Sequence, residues 1–261
     1  MTTCLIVTTY NWTQALNQVL LSVKRQTLMP DEIIIADDGS KKETKELVEA
    51  FIRKNPQINF IHSWQEDKGF RLTNSRNKAI AMSKSKYIII VDGDIILNKN
   101  FIKDHIRFSK QGYFIQGTRV LLGQNITNYI FRTSKFLISF FSKDIKNRKN
   151  LINSTILSKF FSRQTKSLRG IRGCNISFFK KDCIDVNGFN EDFEGWGRED
   201  SEFVVRLFNK GIKRKNLKFK ANALHLYHEE NSRKMLTKND EILKSTIDNR
   251  LSWCKNGINK Y

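Results

Sequence analysis

Five consecutive apolar residues, Tyr87 to Val91, run directly into two acidic residues, Asp92 and Asp94, which are separated by Gly93. A strand with one face in water alternates apolar and polar residues, whereas a strand covered on both faces is apolar almost throughout. The run therefore predicts a central strand of a mostly parallel sheet, with helices on both faces. It also predicts that two carboxylates follow the end of this strand.

The first 118 residues alternate short apolar runs with helical patterns, as a fold built from strand-helix-strand units requires. The predicted strands cover 4–7, 33–36, 58–61 and 87–91. A first helix follows Asn11 as its N-cap, a second has an apolar face from Leu47 to Ile52, and a third covers about 73–83. This order predicts an α/β fold.

Positive charge is concentrated in the middle of the chain. Forty-six Lys and Arg against 26 Asp and Glu give a formal charge of +20, which indicates an anionic partner such as nucleic acid, an acidic membrane surface or a phosphorylated substrate. Between residues 129 and 172, eleven Lys or Arg accompany a single acid, Asp144. Apolar residues there lie four apart, as on amphipathic helices: Phe136 with Phe140, Leu137 with Phe141, and Ile152 with Ile156 and Phe160. We expect a basic, aromatic helical insertion at 121–169, which is either solvated or lies on an anionic membrane or over the acceptor.

Targeting features are not apparent in the sequence. No apolar run approaches the roughly 18–20 residues that span a bilayer, and a first strand at Cys4 leaves no room for a signal peptide. The four cysteines have neither disulfide nor zinc spacing, in keeping with a reducing compartment. We therefore expect a cytoplasmic protein, peripheral on the inner face of the membrane if the basic segment binds lipid.

Carboxylates follow the predicted strands where glycine-rich phosphate loops would otherwise lie. Neither GxGxxG nor GxxxxGK[ST] occurs, whereas acidic motifs follow the second strand at 37–39 and the buried strand at 92–94. Ligands of open α/β sheets bind beyond the carboxyl ends of the strands. Two hard oxygen donors there suit Mg²⁺ or Mn²⁺ holding a diphosphate, with Gly93 allowing close approach. The alternative is a solvated turn after each strand.

A second motif, at 195–200, joins a Trp between two glycines to a pair of acids. The glycines let Trp196 lie against a ligand, for which the face of a sugar is a natural partner. Glu199 and Asp200 then begin a predicted helix. They either complement its dipole or, with a metal-diphosphate motif upstream, supply a general base in Asp200 that deprotonates an acceptor hydroxyl.

Together these motifs resemble the donor half of family 2 glycosyltransferases, which have the GT-A fold. The resemblance covers about 1–118 and rests on four stretches: Thr8-Thr9-Tyr10-Asn11, Asp37-Asp38-Gly39-Ser40, Asp67-Lys68-Gly69-Phe70-Arg71 leading to Ser75-Arg76-Asn77, and Asp92-Gly93-Asp94. Residues 170–230 are similar to the galactosyltransferase-type C-terminal module of bacterial polysaccharide synthases, chondroitin-polymerase-like enzymes and β4-galactosyltransferases, through Gly173-Cys174-Asn175, Asn187-Gly188-Phe189 and Gly195-Trp196-Gly197-Arg198-Glu199-Asp200. The resemblance implies a donor-binding half at 1–120 and a catalytic and acceptor half at 170–230. It does not cover the tail at 231–261, for which the sequence pattern predicts a helical segment with a helix over 240–254.

The resemblance implies a uridine site at Thr8, Tyr10 and Asp38. An Asp carboxylate can accept the uracil N3–H, and a tyrosine ring can stack on the base. Asp67 would complete the donor site, and Arg76 would meet the diphosphate or order the loop beneath it.

The metal ligands that the resemblance implies come from both halves of the chain. Asp94 would bind Mn²⁺ or Mg²⁺, while Asp92 would contact ribose or metal, with Gly93 between them in the donor site. Alternation in an extended chain puts His225 and His228 on opposite faces, so that only one could serve the site. The resemblance favours His228, with His225 as the alternative, and a nitrogen ligand would shift the preference towards Mn²⁺.

The same resemblance implies that Asp200 is the general base and that Glu199 holds acceptor or donor hydroxyls. Acceptor contacts are implied for Trp196, Gly195 and Asn175. Arg198 departs from the family pattern, which commonly has Gly there, and this departure bears on the acceptor preference.

The leading hypothesis is an inverting, metal-dependent glycosyltransferase. It would move a hexose or N-acetylhexosamine from a UDP-sugar to a saccharide or glycolipid acceptor, such as a lipooligosaccharide or capsule precursor, with a β-linkage. One alternative is a basic nucleic-acid-binding protein, but the aromatic residues follow helical spacing and no nucleic-acid motif accompanies them. The other is a catalytically degenerate relative that binds sugar nucleotides, although every expected acid is present. We therefore expect no nucleic-acid partner.

Overall fold

The computed structural model describes residues 1–229 and 232–261, and its first part alternates strands and helices. The elements are β1 (Thr3–Thr9), α1 (Thr13–Lys24), β2 (Glu32–Asp37), α2 (Lys42–Lys54), β3 (Phe60–Trp64), α3 (Leu72–Met82) and β4 (Tyr87–Asp92). The four strands pair in parallel in the order β3, β2, β1, β4. The predicted α/β alternation of this part is confirmed.

The rest of the chain extends this sheet and builds a second one. The next elements are β5 (Ile95–Leu97), α4 (Phe101–Phe108), β6 (Tyr113–Gln116), β7 (Thr118–Leu122), α5 (Gln124–Thr133), β8 (Ile145–Lys146), a 3₁₀ turn at Arg148–Leu151, α6 (Thr155–Phe161) and β9 (Arg163–Thr165). The last are β10 (Asn175–Phe179), α7 (Lys180–Ile184), α8 (Glu199–Asn209), β11 (Lys213–Asn216), β12 (Asn222–His225), α9 (Leu236–Asp248) and a 3₁₀ turn at Ile258–Lys260. Residues 230 and 231, at the predicted start of the tail, lie outside the described residues.

Both sheets combine strands from the two predicted halves of the chain. The larger sheet has the order β3-β2-β1-β4-β10-β6-β11-β9, and the smaller one has the order β5-β12-β7-β8. Strand β10 is antiparallel to both β4 and β6, so a strand of the second half lies between two strands of the first. In the smaller sheet, β12 lies between β5 and β7 in the same way.

Helices cover both faces of the larger sheet, as the apolar run at 87–91 predicts. Ile89 packs in a cluster with residues of α1 and α2, whereas its neighbour Ile90 packs in a second cluster with residues of α3 and α8. Both side chains are fully buried. Because β4 contributes to two cores, its carboxyl end, with Asp92, is held in a fixed position.

Two boundaries in the donor half differ from the sequence prediction. The residue that precedes α1 is Trp12 rather than Asn11. Asn11 has φ 48°, and its side-chain oxygen accepts the N–H of Lys41 at 2.8 Å, so it serves the neighbouring loop. Strand β3 starts later than predicted, because the N–H of Ile58 bonds the carbonyl of Asn55 in the turn after α2.

The prediction of a helix through Phe136 and Phe141 is wrong. Helix α5 ends at Thr133, Ser134 has the left-handed φ of 51°, and the chain then runs without a helix to β8. Phe136 packs against the core of the smaller sheet, whereas Leu137 is 95% exposed. Pairing of β8 with β7 places this segment beside the smaller sheet. This tertiary contact outweighs the helical tendency that the four-residue spacing of the apolar side chains indicated. The segment at 121–169 is therefore only partly helical, although Ile156 and Phe160 do lie on α6.

The helix of the tail is present but shorter than the predicted 240–254, since α9 ends at Asp248. Arg250 has φ 49°, and the N–H of Leu251 bonds the carbonyl of Thr246, which closes the helix. Within the described ranges, none of the helices combines the length and the apolar character that crossing a membrane demands.

Candidate active site

A cleft of about 1430 Å³ lies beyond the carboxyl ends of the parallel strands, where an α/β sheet binds its ligands. Its walls come from the ends of β1, β2 and β4, from β7, and from the segments that precede α8 and follow β12. The lining residues include most of the predicted site: Thr8, Tyr10, Asp38, Arg76, Asp92, Gly93, Asp94, Trp196, Glu199, Asp200, His225 and His228.

Asp94 lies at the centre of a cluster with two histidines. Its Oδ2 is 3.4 Å from Nε2 of His225 and 3.2 Å from Nε2 of His228. One ligand atom from each of the three side chains lies within 4.8 Å of the others. Burial favours the neutral form of Asp94, but the two histidines and Arg119 lower its pKa overall. The hydrogen bond to Asp94 in turn raises the pKa of His228.

The expectation that only one of the two histidines reaches the site is wrong. Strand β12 ends at His225, so the alternation of a strand does not extend to His228. The N–H of Leu226 bonds the carbonyl of Asp94 at 3.0 Å, and the N–H of Tyr227 bonds the hydroxyl of Thr127 at 2.9 Å. This turn returns His228 to the cleft. There its ring packs edge-to-face with the Trp12 ring, and the two ring centroids are 5.9 Å apart.

The cluster fits a divalent metal ion. Oδ1 of Asp94 is buried and has no hydrogen-bond partner among the described residues, although a buried carboxylate oxygen is costly to leave unpaired. A carboxylate oxygen beside two imidazole nitrogens is a donor set that suits Mn²⁺ better than Mg²⁺.

Arg76 joins the end of β4 to the start of α8 across the cleft. Its guanidinium is 1% exposed and lies 3.2 Å from Oδ1 of Asp92 and 3.3 Å from Oε1 of Glu199. Asp92 also accepts the hydroxyl of Thr8 at 3.0 Å. Gly173 is required beside this pair, because a Cβ there would lie 2.7 Å from Nη2 of Arg76. The geometry favours ordering of the acidic loop over the direct diphosphate contact that the sequence left open.

Two adjacent acids begin α8 and have different surroundings. Burial and the charge of Asp200 raise the pKa of Glu199 to about 7, against the opposing effect of Arg76. Asp200 is anchored by backbone donors, since Oδ2 accepts the N–H of Gly173 at 2.9 Å and Oδ1 accepts the N–H of Ser201 at 2.6 Å. Asp200 is therefore fixed in orientation at the edge of the cleft.

The loop that carries Trp196 is held from behind by α9. Nδ2 of Asn239 donates to the carbonyls of Glu194 and Gly197, both at 3.0 Å. A Cβ at Gly195 would lie 2.8 Å from Cγ of Met235. Trp196 itself remains 40% exposed at the cleft. The α9 contacts were not predicted, because nothing in the sequence relates Asn239 to this loop.

Arg198, the residue that replaces the usual Gly, adopts a backbone conformation that is typical of glycine. Its φ is 79°, and its side chain pairs with Asp240 on α9. A left-handed backbone at a non-glycine residue is strained, and the ion pair with Asp240 helps to hold it. The substitution therefore keeps the close turn before α8 and directs the Arg198 side chain towards α9.

Thr8, Tyr10 and Asp38, which were predicted to bind uridine, all line the cleft, and each bonds a different polar group. The hydroxyl of Tyr10 donates to Oδ2 of Asp67 at 2.9 Å. Asp38 accepts the side-chain amide of Gln65 at 2.6 Å and the N–H of Arg71 at 2.8 Å. Burial is the main cause that raises the pKa of Asp38 to about 6, with a contribution from the charge of Asp67.

The structure does not bring Asn175 to the cleft, which argues against its predicted acceptor contact. The side chain is 1% exposed in β10. Its Nδ2 donates to the carbonyls of Thr118 and Ala221 at 3.0 Å, and its Oδ1 lies 3.0 Å from Nε2 of His105. Asn175 therefore joins β10 to the neighbouring strands, a role that no local sequence signal indicates.

Sequence reasoning missed several cations of the cleft. Arg119 on β7 donates to Sγ of Cys174 at 2.7 Å and contributes to the low pKa of Asp94. Lys143, Lys146 and Arg172 also line the cleft. The positions of Lys143 and Lys146 depend on the pairing of β8 with β7, and the position of Arg172 depends on the contacts of its backbone with Gln116. The sequence pattern reveals neither.

Comparison with known proteins adds two family matches. Residues 4–172 match the model described as glycosyl transferase family 2, and residues 157–229 match the one described as the N-terminal domain of galactosyltransferase. The chain is 28% identical over 223 residues to a chondroitin synthase of Escherichia coli, covering 79% of this chain and 32% of that protein. It is 25% identical over 243 residues to a hyaluronan synthase of Pasteurella multocida, covering 87% and 24%. The chain thus spans a third or less of these relatives.

Solved structures with low sequence identity share the fold. TarS of S. aureus aligns with a TM-score of 0.65 at 19% identity, covering 95% of this chain and 40% of TarS. A TarS 1–349 complex with UDP-GlcNAc gives 0.61 at 19% identity, covering 88% and 60%. A mannosyltransferase of Pyrobaculum calidifontis in complex with GDP-Man and Mn²⁺ gives 0.61 at 14% identity, covering 87% and 57%. The predicted GT-A fold is confirmed.

Proposed function

The chain belongs to glycosyl transferase family 2, and from that premise we propose that it is an inverting, metal-dependent hexosyltransferase. It transfers a hexose or N-acetylhexosamine from a UDP-sugar to a saccharide or glycolipid acceptor and forms a β-linkage. The observation that carries this proposal is the convergence, in one cleft, of the cluster around Asp94 with the anchored carboxylate of Asp200.

The donor nucleotide occupies the end of the cleft formed by Tyr10, Asp38 and Asp67. The carboxylate of Asp38 accepts the uracil N3–H, and the half-exposed ring of Tyr10 stacks on the base. The hydroxyl of Tyr10 is already held by Asp67, so the ring is oriented before the donor arrives. The complex of TarS 1–349 with UDP-GlcNAc supports a nucleotide-sugar donor for this fold.

Asp94, His225 and His228 hold the metal, and Mn²⁺ is the ion that their donor atoms favour. When bound, the ion supplies positive charge that stabilises the diphosphate of the departing UDP. Gly93 keeps the chain clear at this point, because a Cβ there would lie 2.6 Å from the carbonyl of Thr8. The complex of the mannosyltransferase with Mn²⁺ supports a divalent ion in a related fold.

Asp200 is the general base of the transfer. It takes the proton of the acceptor hydroxyl while that oxygen bonds to the anomeric carbon and the bond from this carbon to UDP breaks. One displacement of this kind inverts the anomeric configuration. Glu199, whose pKa is raised to about 7, holds a sugar hydroxyl, and Trp196 offers its exposed ring to the acceptor.

The loop between α5 and β8 lies, in this proposal, on an anionic membrane at the inner face of the cell. Leu137 and Phe141 are 95% and 83% exposed, and Lys135 and Lys143 flank them. Apolar side chains among lysines suit the interface of an anionic bilayer. Since Lys143 also lines the cleft, such docking would bring a lipid-borne acceptor to the site.

A donor panel tests the proposal. The protein is incubated with UDP-glucose, UDP-galactose, UDP-GlcNAc, UDP-GalNAc and UDP-glucuronate, each with Mn²⁺ or with EDTA, and UDP release is measured. Slow donor hydrolysis can be seen even without the true acceptor. We expect release from at least one hexose or hexosamine donor with Mn²⁺ and none with EDTA. Failure to bind or hydrolyse any of these donors with Mn²⁺ would contradict the proposal.

A further inference from the structure

We propose that the acceptor part of the cleft binds an anionic group, a carboxylate or a phosphate of the acceptor, through Arg172 and, from a separate segment of the chain, Lys143 and Lys146. The inference rests on the proposed function, because it names the class of acceptor that the same site takes. The carboxylate and the phosphate share the chemistry that these cations recognise.

Arg172 lies next to the proposed base. The following residue, Gly173, donates its N–H to Oδ2 of Asp200 at 2.9 Å. Gln116 holds the backbone of Arg172 from both sides, since its Oε1 accepts the N–H of Arg172 at 3.2 Å and its Nε2 donates to the carbonyl at 2.9 Å. An acceptor hydroxyl at Asp200 therefore brings the rest of the acceptor within reach of the exposed Arg172 side chain.

Lys143 and Lys146 line the cleft from a separate segment of the chain, on either side of Ile145. Pairing of Lys146 with Leu121 and of Ile145 with Leu122 fixes their backbone in the smaller sheet. The acid between them, Asp144, is directed elsewhere, because its Oδ2 accepts the N–H of Ile126 at 2.9 Å at the start of α5. Both lysines are exposed and line the cleft.

The three cations have no acidic partner in the part of the chain that the structure describes. Other cations of the cleft are paired there, since Arg76 contacts Asp92 and Arg198 contacts Asp240. Exposed cations that converge on one cavity without an acid attract anions.

A second layer of positive charge lies behind Arg172. Arg214 is buried, and its guanidinium donates to the carbonyls of Ser167, Arg169 and Gly170, just before Arg172 in the chain. Its Nε is buried without a partner among the described residues. Burial lowers the pKa of Arg214, and the charge of Arg172 lowers it further. Positive charge without a compensating acid destabilises this region, and an anion on Arg172 would relieve that repulsion.

In this proposal the three cations do not bind the sugar-nucleotide donor. Its diphosphate is assigned to the metal held by Asp94, at the end of the cleft where Arg76 is already paired with Asp92. Arg172 instead flanks the residue that anchors Asp200, the group assigned to the acceptor hydroxyl.

Matched probes test the inference by calorimetry at low ionic strength, with UDP and Mn²⁺ present. Tetragalacturonate is compared with its fully methyl-esterified form, which has the same backbone without the charge. Mannose 6-phosphate is compared with mannose in the same way. We expect at least one anionic probe to bind about tenfold more tightly than its neutral counterpart, as a charge-assisted contact allows. The pair that shows the preference identifies the carboxylate or the phosphate as the group bound.

Two triple variants separate the cleft from general charge. Lys143→Gln, Lys146→Gln and Arg172→Gln together should abolish the preference for the anionic probe. The control, Lys159→Gln, Lys166→Gln and Arg169→Gln, removes the same charge from exposed residues that do not line the cleft and should keep it. Equal binding of charged and neutral probes by the wild-type protein, or equal losses in the two variants, would overturn the inference.

Affinity for Mn²⁺-UDP is measured on the same three proteins. We expect it to be unchanged in the cleft variant, and a loss there would assign the cations to the donor and overturn the inference. Absence of UDP binding by the wild-type protein would instead contradict the proposed function. The preference for anionic probes can then still be measured without UDP, so the two failures are distinguishable.

Discussion

Nε2 of His228 lies 3.2 Å from Oδ2 of Asp94, although the two residues come from opposite halves of the chain. The contact depends on the turn after β12, where the backbone of Leu226 bonds the carbonyl of Asp94. The candidate metal site therefore exists only when the smaller sheet is assembled, because β5 and β12 must pair for Asp94 and His228 to meet.

Asp94→Ala should abolish the metal-dependent part of UDP binding, because it removes the carboxylate that joins both histidines. Titration calorimetry of UDP with Mn²⁺ and with EDTA measures this effect. Asp248→Ala, which removes an exposed acid outside the cleft, is the control. If the variant with Asp94→Ala bound Mn²⁺-UDP as tightly as the wild-type protein, Asp94 would not be a ligand.

Asp200→Asn should lower kcat by about 10² to 10⁴, the usual contribution of a positioned general base, while donor affinity is retained. The amide oxygen of Asn can still accept the N–H of Gly173, the contact that anchors the loop, whereas the bond from the N–H of Ser201 is lost. Steady-state kinetics with a working donor and acceptor check the prediction. A decrease of less than about tenfold would shift the role of base to Glu199 or another group.

Uridine binding should weaken on acidification, because Asp38 has a pKa raised to about 6 and is the residue that we propose accepts the uracil N3–H through its carboxylate. The folded protein protonates Asp38 below about pH 6, and bound uridine favours the deprotonated form. Affinity should therefore fall by up to about tenfold between pH 7 and pH 5, as linkage to one proton requires.

Uridine is the suitable probe for this experiment, since it has no phosphate that titrates and needs no metal. Its dissociation constant can be followed by NMR as a function of pH. Asp38→Asn should give an affinity that does not change over this range. A pH dependence that persists in this variant would assign the effect to another group.

Leu137→Ser with Phe141→Ser should reduce flotation with vesicles of phosphatidylglycerol and phosphatidylcholine at any salt concentration. Both side chains are almost fully exposed, so thermal stability should not change. Ile247→Ser removes an exposed apolar side chain from α9 and is the matched control. Phe136→Ser should instead lower thermal stability, because Phe136 packs against the core of the smaller sheet.

Lysine charge contributes separately to this docking. Lys135→Gln with Lys143→Gln should weaken binding to the anionic vesicles by about 1 kcal/mol per charge at low salt. Wild-type protein that does not float with anionic vesicles at low salt would rule out the membrane surface.

Asn239→Ala should destabilise the protein by about 1 to 3 kcal/mol, because it leaves the half-buried carbonyls of Glu194 and Gly197 without their donor. Urea denaturation measures the loss. Asn249→Ala is the control, since Asn249 is exposed and its side chain bonds only within α9 and its end. A variant as stable as the wild-type protein would show that the loop does not depend on α9.

The donor end of the site could be predicted from the sequence because it follows from the sheet. Once the apolar run at 87–91 is taken as a central strand, Asp92 and Asp94 must lie at its carboxyl end, at the same edge of the parallel sheet as Asp38. Strand order and burial confirm these positions. The position of His228 could not be predicted in this way, because it depends on a turn held by backbone contacts distant in sequence.

Sequence patterns gave wrong predictions where a residue or strand distant in sequence determines the local structure. The spacing of Phe136 and Phe140 is helical, but β8 pairs with β7 and Arg25 lies 4.4 Å above the ring of Phe136. Asn175 was expected at the acceptor because its motif resembles that of the family. Its amide is instead used by Thr118 and Ala221, which the sequence does not place near it.

The position of β10 between β4 and β6 has a consequence for synthesis of the chain on the ribosome. Until Phe179 has left the exit tunnel, β4 and β6 lack the strand that separates them, and the apolar β4 has one edge without hydrogen-bond partners. An open, apolar strand edge invites pairing with other chains. We therefore expect the emerging polypeptide to need shielding until β10 arrives, and β4 and β6 are joined in the larger sheet only after Phe179 has been translated.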